Sequence, residues 1–200
     1  MESAILYIHG KGGSAGEAKH YRDLCPEYHV YGLDYRGSTP WDTREELLAS
    51  YDTLIPRHKD VIIIANSIGA YFAMNALQGK PVAQALFISP IVDMEKLICD
   101  MMTWAAVTEA ELREKREIET PFGETLSWEY LQYVRAHPIT WTVPTHILYG
   151  DQDHLTGIDT VRAFMDAHPA DLEIMAGGEH WFHTDTQMAF LDAWVKCLLM

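Results

Sequence analysis

Cysteine is scarce in this 200-residue chain: Cys25, Cys99 and Cys197 are odd in number, far apart, and in no CxxC arrangement. They exclude a disulfide framework and a CxxC redox motif, and a reducing compartment suits them best. Cations are also few. Fifteen Lys and Arg stand against 29 Asp and Glu, a formal net charge of −14 at pH 7, whereas nucleic acid and anionic membrane surfaces both demand a basic face. Polyanionic substrates are weakly disfavoured on the same ground. No apolar run approaches the length of a membrane span. Residues 1–5 have no basic stretch ahead of a long apolar one, so they read as the approach to a first strand and not as a secretion signal. The expectation is a cytoplasmic protein with no nucleic-acid partner and no membrane partner.

Two further absences bear on cofactors. His180 and His183 form one pair without a third ligand in view, and no other His, Cys, Asp and Glu group has metal-ligand spacing. The glycine-rich stretch His9–Ser14 lacks both G-x-x-x-x-G-K-S/T and G-x-G-x-x-G spacing, which argues against a nucleotide cradle. No cofactor and no metal are expected. Internal repeats and low-complexity stretches are absent too.

What is present is an ordinary globular balance, 48% apolar and 22% charged residues, enough for one domain with a real core. Six short apolar segments alternate with longer amphipathic ones: 4–8, 30–34, 60–66, 83–89, 145–149 and 172–176. Most are continuous runs of Val, Ile, Leu and Tyr, the pattern of strands buried on both faces of a parallel sheet. Helices are expected over 17–25, 43–58, 68–77, 157–168 and 184–199. In the last, Met188, Leu191, Trp194, Val195 and Leu198 share one stripe, and Thr184 with Gln187 has capping-box spacing. Alternating strand and helix predict an α/β fold, a mostly parallel six-stranded sheet flanked by helices. One connection is too long for a simple crossover. Residues 93–143 hold Met101, Trp104, Leu112, Phe122, Trp128, Tyr133 and Trp141, too many large apolar groups for a solvated linker. They read as a helical cap inserted into the single domain of residues 1–200.

In an open parallel sheet, ligands bind beyond the carboxyl ends of the strands, where the winding direction reverses. The residues there are His9-Gly10-Lys11-Gly12-Gly13-Ser14, Asn66-Ser67-Ile68-Gly69, Gly150-Asp151-Gln152-Asp153-His154 and Gly177-Gly178-Glu179-His180-Trp181. Ser67 stands where a strongly apolar run turns abruptly into helix-like sequence, a junction that lifts a hydroxyl clear of the backbone. A capping role for that serine is the plain alternative.

These motifs together resemble the α/β-hydrolase superfamily in its small form. Ala65-Asn66-Ser67-Ile68-Gly69 matches the nucleophile elbow, His9-Gly10 the oxyanion loop, Gly150-Asp151-Gln152-Asp153 the acid, and Gly178-Glu179-His180 the base. Asp34-Tyr35-Arg36-Gly37 also looks like the Asp-x-Arg-Gly loop after the second strand in many members. The order Ser, Asp, His is the one that family uses. Two departures are Ala65 in place of the first elbow glycine and the lack of antiparallel leading strands. The resemblance implies strand order 2-1-3-4-5-6.

It also implies a Ser67–His180–Asp153 triad, with oxyanion donors at the backbone N–H groups of Lys11 and Ile68. Asp151 competes for the acid as the better turn residue, and Asp93 is a third choice. Among ten histidines, His9 and His183 read as structural, and spacing leaves His154 open. Trp104, Trp128 and Trp181 are expected at the substrate. The expected activity is hydrolysis of small, partly apolar carboxylic esters or thioesters by a monomer or homodimer. A non-hydrolytic binding protein and a triad-based lyase are the alternatives.

Overall fold

The computed structural model describes residues 2–200; Met1 lies outside the described residues. The chain divides into two compact units, one running to Val92 and resuming over Thr140–Met200, the other spanning Asp93–Ile139.

The larger unit is built on strands β1 (Ala4–Ile8), β2 (His29–Leu33), β3 (Val61–Asn66) and β4 (Gln84–Ile88), with helices α1 (Ala18–Leu24), α2 (Pro40–Leu54) and α3 (Ile68–Leu77) between them. The smaller unit holds α4 (Met94–Trp104), α5 (Glu109–Lys115), β5 (Glu117–Glu119), β6 (Thr125–Ser127) and α6 (Trp128–Ala136). The chain then returns to the larger unit as β7 (Thr145–Gly150), α7 (Ile158–Ala167), β8 (Ala170–Met175) and α8 (Asp185–Leu199).

The main sheet has the order β2-β1-β3-β4-β7-β8 and every pairing in it is parallel. This is the order expected, with β7 and β8 as its fifth and sixth strands. The chain winds outward from β1 to β2, returns past β1 to β3, and then proceeds the other way. The switch therefore falls between β1 and β3.

Why the central strands sit where they do follows from their sequence. Residues 4–8 and 61–65 are buried at every position, as aliphatic runs must be when helices cover both faces. On one face Ile5, Tyr7, Ile62, Ile64, Leu86, Ile88 and Leu148 pack against Ala18 and Tyr21 of α1 and Leu191, Trp194 and Val195 of α8. The α8 stripe is seated as its periodicity required, and Thr184 and Gln187 close a capping box at its start. The strand at the end of the sheet departs from the continuous-burial pattern. In β8 only Met175 is fully buried, because one edge and part of both faces meet solvent.

The Asp93–Ile139 unit differs from an all-helical insertion. Glu117–Glu119 and Thr125–Ser127 form a two-stranded antiparallel hairpin, too short to show a period in sequence. Arg135 ties the unit's helices together, its Nε on Glu95 at 2.7 Å and its two terminal nitrogens on Glu109 at 2.8 and 3.0 Å. The unit also ends earlier than residue 143. Trp141 belongs with the sheet, buried to 1% exposure beside Phe87 and donating its indole N–H to Thr145 Oγ1 at 2.8 Å.

Candidate active site

Ser67 occupies the single residue between β3 and α3. Its backbone has φ 50° and ψ −121°, a region that non-glycine residues populate only when their surroundings compel it. Three neighbouring backbone bonds do so: Ser67 N–H donates to Ile88 C=O at 3.0 Å, and Ser67 C=O accepts from Ala70 at 3.1 Å and Ile91 at 3.0 Å. Tight packing supplies the rest. A methyl group placed on Gly69 would lie 2.5 Å from the carbonyl oxygen of His9 and 2.7 Å from that of Ile8, so only glycine lets α3 begin this close to β1. The Ser67 side chain makes no capping bond to its helix. Its hydroxyl is turned elsewhere.

That hydroxyl lies 2.8 Å from His180 Nε2. His180 Nδ1 lies 2.7 Å from Asp153 Oδ2. The second carboxylate oxygen, Oδ1, accepts the backbone N–H groups of Leu155 at 2.8 Å and Thr156 at 3.1 Å. The Asp153 side chain is fully buried, while a quarter of the His180 side chain is exposed. A buried carboxylate needs such partners to be tolerated, and it fixes which imidazole nitrogen carries the proton. Asp153 is acceptor-only here, so Nδ1–H points to it and Nε2 is left free to accept the serine proton. Three side chains from the ends of β3, β7 and β8 thus form one hydrogen-bonded line.

The other acids lie elsewhere. Asp151 Oδ1 accepts from the backbone N–H of Gly177 at 2.7 Å and from the Gln152 amide at 3.1 Å, which makes it a turn residue joining two loops. Asp93 caps α4 by accepting the Lys96 N–H at 2.9 Å. His9 is buried and stacks on Tyr35 with ring centroids 4.2 Å apart. His183 stacks on Trp181 with centroids 4.5 Å apart and lies 2.7 Å from the Trp181 carbonyl oxygen.

Of the backbone donors named from sequence, Ile68 opens α3, where the first N–H groups of a helix have no acceptor within it. Lys11 follows Gly10, and a methyl on Gly10 would lie 3.2 Å from the Cβ of Ser67. The loop therefore runs directly past the serine. Trp181, next to His180, is exposed, and Trp104 is half exposed against Phe122 in the smaller unit. Trp128 is buried, a packing position in place of a surface presented to a substrate. Among the described residues no group of His, Cys, Asp and Glu has the arrangement to hold a metal ion.

Known structures resemble this one closely in shape. A putative hydrolase from Agrobacterium vitis S4 superposes with a TM-score of 0.81 at 19% identity, covering 100% of this chain and 88% of the other. Mouse alpha/beta hydrolase domain-containing protein 10 gives 0.78 at 18% identity, covering 98% and 89%. Est1E from Butyrivibrio proteoclasticus gives 0.77 at 18% identity, covering 99% and 86%. The chain has the α/β-hydrolase fold. No protein-family model and no curated protein sequence matches it. In terms of that fold, Ser67 stands at the turn from β3 into α3, Gly10–Ser14 in the loop after β1, and the Asp93–Ile139 unit follows β4, the strand beside β3.

Two residues of this region were not marked as functional by their sequence positions. Tyr7 reads as one more apolar residue of β1, and Glu17 as the opening of α1. The only local signal was the spacing of Ser14 and Glu17, which does form a capping box around a 3₁₀ turn.

Proposed function

We propose that the protein is a serine hydrolase that cleaves carboxylic esters or thioesters of small, partly apolar acyl groups. One observation carries the reading: the unbroken line from Ser67 Oγ through both nitrogens of His180 to an Asp153 carboxylate held by two backbone N–H groups. A line of this kind has a use as a proton path from a hydroxyl that must become a nucleophile.

Ser67 Oγ attacks the acyl carbon as His180 Nε2 takes its proton. Asp153 stabilises the imidazolium that results and keeps its own negative charge. The carbonyl oxygen of the substrate becomes an oxyanion, received by the N–H groups of Ile68 and Lys11. Each such donor is worth roughly 3 kcal/mol in the transition state. His180 then protonates the leaving alcohol or thiol, which departs and leaves an acyl-enzyme on Ser67. Water, deprotonated by the same nitrogen, attacks that ester and releases the acid.

For the substrate, the exposed ring of Trp181, next to His180, is assigned to the apolar portion. We assign substrate selection to the inserted Asp93–Ile139 unit, which enters the chain two residues after Ile91, whose N–H bonds the Ser67 carbonyl. The structural neighbours include a protein described as an esterase, from Pyrococcus furiosus, and Est1E with bound ferulic acid. Small-molecule esters suit a chain with a formal net charge of −14.

The test is labelling with a fluorophosphonate probe, the modified residue identified by mass spectrometry. Ser67 is expected to carry the label, and Ser67→Ala and His180→Ala each to abolish turnover of p-nitrophenyl esters with little loss of thermal stability. A folded wild-type protein that takes no label would instead be a binding protein. Labelling without turnover of any ester or thioester in a chain-length series would move the assignment to a different acyl transfer.

A further inference from the structure

Asn66, Tyr7 and Glu17 form a hydrogen-bonded chain that none of the steps above uses. The side-chain amide of Asn66 donates through Nδ2 to Tyr7 Oη at 2.8 Å. Tyr7 Oη donates to Glu17 Oε2. Glu17 Oε1 accepts the backbone N–H of Ser14 at 3.1 Å.

The directions are forced. A tyrosine hydroxyl has one hydrogen, and an ionised carboxylate can only accept, so the hydrogen goes to Glu17 and the Tyr7 lone pair is left for the Asn66 amide. Burial of Tyr7, together with the nearby Tyr21 and Glu17, raises its pKa far above the ordinary phenol range. It stays a donor at any working pH.

What the chain joins gives it significance. Asn66 immediately precedes Ser67. Ser14 closes the loop that begins at His9-Gly10 and contains Lys11. The glycine at 13 leaves room for the carboxylate: a methyl there would lie 2.7 Å from Glu17 Oε1. The two backbone segments so connected are the two that carry the oxyanion donors. β1 and β3 are already paired up to Ile8 and Ala65, and past that point the ladder no longer fixes their spacing.

Resting on the serine-hydrolase reading, we propose that Glu17 and Tyr7 are positioning residues. They hold the His9–Ser14 loop in register with the nucleophile elbow and so set the spacing between the Lys11 and Ile68 N–H groups. Because those donors act on charge that exists only in the transition state, their displacement slows the acylation step and leaves ground-state binding alone.

The experiment uses Glu17→Gln and Tyr7→Phe, both close to isosteric. Glutamine offers one acceptor oxygen where two are used, and phenylalanine removes both links at once. In single-turnover acylation by a p-nitrophenyl ester, each variant is expected to lose about 30-fold in rate, less than the roughly 10²–10³-fold of deleting a donor outright. The substrate concentration at half-saturation should change less than twofold. The dissociation constant of phenylboronic acid, which forms a tetrahedral adduct on the serine, should rise in step with the rate loss. Asp23→Asn, on the exposed side of α1, serves as the unaffected control. Acylation and boronate affinity within twofold of wild type in Glu17→Gln would overturn the proposal, as would a parallel loss of rate and half-saturation with boronate affinity retained. Should Tyr7→Phe fail to fold, Glu17→Gln decides alone, its side chain lying at the surface. Absence of Ser67 labelling in the wild type is a separate result, which removes the hydrolase reading itself.

Discussion

Gly10 lies close against Ser67: a methyl on Gly10 would stand 3.2 Å from the Ser67 Cβ and 3.3 Å from the carbonyl oxygen of Asn66. The loop and the elbow touch where the loop is smallest. In Gly10→Ala one of the two must yield by a few tenths of an ångström. Ser67 cannot yield without stretching its 2.8 Å bond to His180. The expected outcome is a kcat for p-nitrophenyl esters lowered by about tenfold or more, with about 1–2 kcal/mol lost in stability. Steady-state kinetics and thermal unfolding of the same preparation check both. A variant with wild-type kcat would show that the loop moves aside freely.

Gly69 and Gly150 are tighter still. A methyl on Gly69 meets backbone oxygens at 2.5 and 2.7 Å, and one on Gly150 meets the Gly178 oxygen at 2.3 Å. Backbone cannot rotate out of the way as a side chain can. Gly69→Ala and Gly150→Ala are each expected to cost about 3 kcal/mol, the upper end for overpacking. Gly157 at the start of α7 is the control, with φ −71° and nothing within 4 Å of a placed methyl. Its alanine variant should lose no more than about 1 kcal/mol, the cost of alanine at a helix N-cap. Denaturant midpoints measure all three, and a Gly69→Ala protein as stable as Gly157→Ala would contradict the close approach of α3 to β1.

How much of this was readable in advance depended on the range of the interaction. Strands β1, β3 and β4 showed in sequence because burial on both faces makes all but the terminal residues Asn66 and Gln84 apolar. β8 was harder to bound because it is an edge, with its one fully buried residue at Met175. The start of α2 lay three residues before Thr43, since Pro40 at the first turn and the Thr39 side chain set it. Ser67, Asp153 and His180 were legible because each lies in the short loop or turn after a strand, so local pattern located them even though their meeting is distant in sequence. The Asn66–Tyr7–Glu17 chain was not. Its first link spans 59 residues and exists because Tyr7 pairs with Ile64, which puts Asn66, two residues on, on the same face of the sheet. Register is a property of the fold and leaves no mark on either segment alone.

The two candidate acids separate by substitution. Asp153→Asn keeps the shape but leaves one acceptor oxygen for the Leu155 and Thr156 N–H groups and turns an NH₂ toward His180 Nδ1. The imidazole must then place its proton on Nε2, where the serine proton should go. The expected loss in kcat is about 10⁴-fold, the size such a tautomer error produces in triads generally. Asp151→Asn keeps a carbonyl oxygen for the Gly177 N–H and should change kcat less than about threefold, with any effect confined to stability. Equal losses in the two variants would remove the distinction.

Cys25 gives the fold a sensitivity to alkaline pH. Burial, and secondarily the charge of Glu27, pushes its thiol from about 9 up to about 11, and the residue has no exposed surface. Between those values the unfolded chain has released the thiol proton while the folded chain retains it. The folded state binds the extra proton, so stability from this group is complete below about pH 9 and declines as pH rises toward about 11. Cys25→Ala lacks the group and should lose less over the same interval. The gap between the urea midpoints of wild type and Cys25→Ala is therefore expected to narrow from pH 9 to 11. Thiol labelling gives an independent reading of the same burial. At pH 8 Cys197, which is exposed, should react at once, and Cys25 only when the protein is unfolded. Rapid modification of Cys25 in the folded protein would mean that the α1 face of the sheet opens, and the constancy of the urea gap would follow from the same opening.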